Sequence, residues 1–106
     1  EGKKPKEIIS RLTAYLSQLP LDWRAWNKLG AVLRLLEYPQ NALSVHTQSL
    51  NVGGVNAETL AHISRDYELD GNVELAKLYA QEVIRGYYPY SDNRWALSTA
   101  TNVLAK

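Results

Sequence analysis

The sequence contains no cysteine, which removes disulfide frameworks, thiolate nucleophiles and cysteine-based zinc sites at one stroke. The same absence leaves the redox compartment open, so cytoplasm and periplasm are equally compatible and the localisation is unknown. Charge of one sign is also lacking. Twelve Lys and Arg stand against eleven Asp and Glu, a net charge of +1, and no whole-protein field exists to draw in a polyanion. Nucleic acid is therefore a poor default partner. No apolar run approaches the roughly 20 residues that cross a bilayer, and the first residues lack the apolar stretch of a signal peptide. The chain is expected to be soluble, with no membrane span.

The chemistry-bearing patterns are absent too. The serines have no G-x-S-x-G context, and no glycine-rich loop follows a strand to cradle a phosphate. His46 and His62 fall on different helices with no two-histidine step of four, so no metal site can be assembled. His46 reads as a semi-buried spacer and His62 as a surface or groove residue. Asp66-Tyr67-Glu68-Leu69-Asp70-Gly71 has the acid spacing of a calcium loop, but its twelfth position, where a bidentate Glu is required, holds Lys77. These residues predict no enzyme, no cofactor and no metal. The three Trp and seven Tyr fall mostly on inter-helix packing positions, without the basic groove that stacking of single-stranded nucleic acid needs.

What is present is a folding composition: 45% hydrophobic and 22% charged residues over 106, enough for one small domain. Residues 1–6 (EGKKPK) read as a flexible N-terminal arm and residues 7–106 as a single domain. Ile8, Ile9, Leu12, Tyr15, Leu16 and Leu19 recur at helical steps until Pro20. A second helix capped by Asp22 carries Trp23, Trp26, Leu29, Leu33 and Leu36; a third begins at Pro39 and should end before Gly53. The fourth starts near Asn56 and turns at Asp70-Gly71-Asn72, the fifth ends at Gly86, and the sixth begins near Ser91 or Asp92. No segment alternates like a strand, so the fold class is all-α.

Self-comparison at a shift of 34 residues sets Leu33 on Tyr67, Ala42 on Ala76 and the Glu37 turn on the Gly71 turn. Pro20 precedes Trp26 by six residues, and Pro89 precedes Trp95 by the same six. Trp26, Leu29, Gly30 and Leu33 followed by Ala42, then Gly71-Asn72-Val73-Glu74-Leu75-Ala76, resemble the tetratricopeptide repeat, W-x2-L-G-x2-Y…A-x3-F…P. The resemblance implies a right-handed alpha-alpha superhelix, a solenoid of about six antiparallel helices. Full repeats fall at about 23–56 and 57–91, with half-repeats on either side. His46 stands where the family prefers a large aromatic, Gly54 where it prefers proline, and the chain has no phenylalanine. Close crossings need small facing residues, which Gly30 with Ala42 and Ser64 with Ala76 supply.

Members of that family hold a partner's peptide or helix in a concave groove lined by the first helix of each repeat. The resemblance places Arg24, Asn27, Ala31 and Arg34, then Glu58, Ala61, Arg65 and Glu68, on that groove, with Trp95 added by the sixth helix. Three arginines there would grip carboxylates in bidentate fashion, so a carboxylate-bearing protein or peptide is the expected partner. Tyr87, Tyr88 and Tyr90 form a secondary candidate patch. The rival expectation is a structural segment that stacks on further repeats or on a second copy, in which case the outer faces of the first and sixth helices should be apolar.

Overall fold

A computed structural model describes residues 4–86 and 93–106, and among them the chain is all-α, with no strand. The helices are α1 (Pro5–Gln18), α2 (Trp23–Leu35), α3 (Pro39–Gly53), α4 (Ala57–Leu69), α5 (Val73–Arg85) and α6 (Asn93–Leu104). Their starts follow from cap chemistry. Asp22, Asn56 and Asn72 each accept a hydrogen bond from the backbone N–H three residues on, satisfying an orphan donor of the first turn. Pro5 and Pro39 occupy first-turn positions of α1 and α3, where their missing N–H costs nothing. The expected arm is shortened accordingly: Pro5 and Lys6 are helical.

The chain divides into two compact units, one ending at Gly54 and the other beginning at Val55. In the first unit α2 packs on α1 and on α3. The α2–α3 hairpin is antiparallel: Ser49 Oγ, near the end of α3, donates to Trp23 O at the start of α2 (2.9 Å), and His46 lies against Gly30 one helical span away. His46 is wholly buried, and its Nε2 sits 3.2 Å from Asn27 O. A carbonyl only accepts, so that nitrogen carries the proton. Where a large aromatic was expected, an imidazole fills the crossing and satisfies itself on backbone. Gly53 belongs to α3 rather than lying beyond it; the helix is capped at Gly54, whose φ is 79°, and a side chain at Gly53 would run into the Trp23 ring. On the other flank Leu16, Ala25 and Leu29 form a core joined by Ile9, Leu12, Trp26, Leu33 and Val45. Each fully buried Leu contributes about 1.5–3 kcal/mol. Trp26 Nε1 donates to Pro20 O at 2.7 Å, which gives the six-residue spacing a physical cause.

In the second unit α4 packs on both α5 and α6, and α5 also packs on α6. Ser64 Oγ donates to Ala76 O at 2.6 Å, so the crossing is closed by a hydrogen bond between small residues that are both fully buried. The two hairpins share their turn as well. Tyr38 N–H reaches Leu33 O (3.0 Å) and Asn72 N–H reaches Tyr67 O (2.9 Å), the closing bond of a Schellman helix end. The left-handed residue it requires is Gly71 (φ 89°) in one and Glu37 (φ 69°) in the other.

Candidate functional site

Helix α2 is pressed between α1 and α3, so its buried arc is wider than a single apolar stripe: Ala25, Asn27, Leu29 and Gly30 are all buried. Asn27, expected on a partner-facing line, is 2% exposed and does not present itself to a partner. The accessible strip of α2 is instead Arg24, Lys28 and Leu35, four and eleven residues apart on one face. Ala31 and Arg34 are half-buried at its edge. Arg24 sits with its guanidinium 4.4 Å from the centre of the neighbouring Trp23 ring, a cation–π contact. Beside it Tyr15 OH donates to Asp22 Oδ2 at 2.6 Å. That bond holds the Tyr15 hydroxyl above its ordinary pKa and, with the Ala25 N–H, the Asp22 carboxyl below its own.

On α4, Glu58 is half-buried in the first turn, where a carboxylate complements the helix N-terminus, and Ala61 is wholly buried. Arg65 is not a solitary cation. Its guanidinium donates to Glu68 Oε1 at 2.6 Å, one turn along the same helix, and Lys106 Nζ approaches Glu68 Oε2 at 3.0 Å. The sequence reading placed Arg65 and Glu68 as separate partner-facing groups; they form one network that crosses from α4 to the end of α6. Burial pushes the Glu68 carboxyl up, but the hydrogen bonds and charges of Lys106 and Arg65 outweigh it, and the net shift is downward. Thr99, Asn102, Val103 and Ala105 complete this cleft, a cavity of about 370 Å³ with Arg65, Glu68 and Lys106 on its walls.

Trp95 is 40% exposed at the start of α6, its ring 4.5 Å from that of His62. His62 is buried under it, contrary to the surface or groove position expected of it. The reason is the contact of α4 with α6, which covers a face that the hairpin alone would leave open. Tyr87, Tyr88 and Tyr90 lie outside the described residues. Among the described residues no group of three or more His, Asp or Glu is placed to hold a metal ion. Lys28, Asn102 and Lys106 were missed by sequence reasoning. Lys28 stands four residues after Arg24 and was legible by helical spacing, whereas the Lys106 contact depends on α6 folding back on α4. Neither a protein-family model nor a curated protein matches the chain.

Proposed function

We propose that this chain is a protein-interaction module of the tetratricopeptide type, which holds a peptide or helix of a partner on exposed helix faces within its units. One observation carries the reading: a small residue of the first helix at its crossing with the second (Gly30 against His46, Ser64 against Ala76) and a Schellman turn (Glu37, Gly71) recur 34 residues apart. A chain built from repeated hairpins presents repeated helix faces, and such serial surfaces serve binding. The faces here are polar and mixed in charge, with Arg34 at the edge of the α2 strip, Arg65, Glu68 and Lys106 around a cleft, and Trp95 as an aromatic anchor over His62 at the start of α6. A carboxylate of the partner would compete with Glu68 for Arg65 and Lys106, so the module would exchange an internal ion pair for an external one.

The test is binding of the natural partner, isolated by affinity capture with the intact chain and then titrated against purified variants. Arg34→Glu combined with Trp95→Ala weakens it by about tenfold or more, the scale of one charge-assisted hydrogen bond. The loss shrinks at high salt while helicity is unchanged. Wild-type affinity in the double variant would refute the reading. A second reading, that α6 stacks on a further helix or on another copy, is favoured by the exposed apolar Trp95 and Leu97. It predicts concentration-dependent self-association that Leu97→Glu abolishes.

A further inference from the structure

The groove between α1 and α2 is open along its length. Arg11, Leu12 and Tyr15 of α1 and Asp22, Arg24, Ala25 and Lys28 around the start of α2 enclose a cavity of about 650 Å³. A second hollow of about 400 Å³ shares Arg11, Leu12 and Lys28 with it and adds Ile8, Ala31 and Val32. The shared residues make the two one trough. Its floor is aliphatic, and its rim carries the exposed cations Arg11, Arg24 and Lys28 against the single acid Asp22, whose carboxylate is already engaged by Tyr15 OH and the Ala25 N–H. Arg11 and Lys28 are tied to no carboxylate among the described residues. Ile8 to Tyr15 is about 10 Å of helix and Asp22 to Val32 about 15 Å, room for two to three helical turns.

The second unit shows what such a trough accepts. There α5 and α6 are the corresponding pair: in the sequence Trp95 follows Pro89 by six residues, as Trp26 follows Pro20 between α1 and α2. The seam is covered by α4, which packs on both, and a carboxylate of the seated helix, Glu68, reaches a cation of the receiving one, Lys106, at 3.0 Å. We infer that the α1–α2 trough is a second docking seat, and that it takes an amphipathic helix from a partner protein whose apolar stripe is flanked by Asp or Glu facing Arg11 and Lys28. A copy of this chain stacking head to tail would offer α6, which contains no acidic residue and carries Arg94, so like charges would meet on the rim. The seat rests on the hairpin-repeat reading only for the correspondence of the two helix pairs; it shares Arg24 and Lys28 of the α2 strip with the proposed surface but does not use Arg34 or Trp95.

The probe is a synthetic peptide with the sequence of α4, AETLAHISRDYEL, held helical by a side-chain staple and labelled for fluorescence anisotropy against the intact chain. Saturable binding is expected, with amide shifts in nuclear magnetic resonance spectra at Ile8, Leu12, Lys28 and Val32. Arg11→Glu with Lys28→Glu weakens it by about tenfold or more, whereas reversal to Glu of Arg85, an exposed residue that does not line the trough, leaves it unchanged. A peptide with its acids replaced by Gln and Asn loses the same factor. Absence of binding at about 1 mM peptide, shifts confined to other helices, or equal affinity for the Arg11 and Lys28 variant would overturn the proposal. So would self-association of the wild type that the same variant abolishes, since the occupant would then be a second copy. Loss of the natural partner in the Arg34 and Trp95 variant with the peptide still bound would separate this seat from the proposed groove.

Discussion

Replacing Gly30 by alanine sets two effects of opposite sign against each other. In a helix interior alanine is favoured over glycine by about 1 kcal/mol, so propensity alone predicts a stabler protein. At this crossing, however, a methyl group would overlap the His46 ring, with Cε1 at 2.5 Å and Cδ2 at 2.6 Å. The ring has no room to yield: His46 is wholly buried and its Nε2 is held at Asn27 O. Overpacking of this kind costs about 1–3 kcal/mol, and displacing the imidazole forfeits about 1 kcal/mol more of hydrogen bonding. The net is a loss of about 1–3 kcal/mol, read as a fall in melting temperature of several degrees by circular dichroism. In a His46→Ala background the obstruction is gone and the propensity term stands alone, so Gly30→Ala becomes neutral or stabilising there. A rise in melting temperature for Gly30→Ala in the wild-type background, or the same change in both, would refute the crossing as described.

The shared turn gives a matched pair of outcomes. Glu37→Gly relieves a left-handed residue and raises stability by about 1 kcal/mol, while Gly71→Ala imposes the same strain and lowers it by a similar amount, since no atom lies within 4 Å to add a clash. Chemical denaturation checks both, and a loss of stability in Glu37→Gly would count against the turn. The Glu68 network sets a pH dependence. Its carboxyl is held below the usual range in the folded chain, so its stabilisation is complete above the unfolded pKa and disappears as pH falls from about 4 through the lower folded value. Melting temperature therefore drops on acidification, and less steeply in Glu68→Gln; identical slopes would remove Glu68 from the account. Asp22 is lowered by its bond from Tyr15 and acts in the same direction, so Tyr15→Phe also flattens the acid limb.

Much of the fold was legible because it is written in local chemistry: Asp22, Asn56 and Asn72 cap helices where side-chain oxygens meet orphan donors, and the Gly71 turn announces its left-handed residue. What was not legible depends on packing between helices. The resemblance put Asn27 on a partner-facing line, but a repeat frame does not say how closely α2 is held by a neighbour on each flank, and two neighbours narrow the accessible face to Arg24, Lys28 and Leu35. His62 was misplaced for the same reason, because α6 covers it. The polar surface follows this logic too. Arg65 and Glu68 are adjacent on one helix face by spacing, yet only the return of α6 brings Lys106 to the same carboxylate and turns a helix pair into a cleft. Helix pairs thus create the surface features here, and a seam without a covering helix is a feature of the same kind. The α1–α2 trough and the α5–α6 seam are one construction in two forms, the first open with its cations exposed and the second covered by α4, whose Glu68 pairs with Lys106.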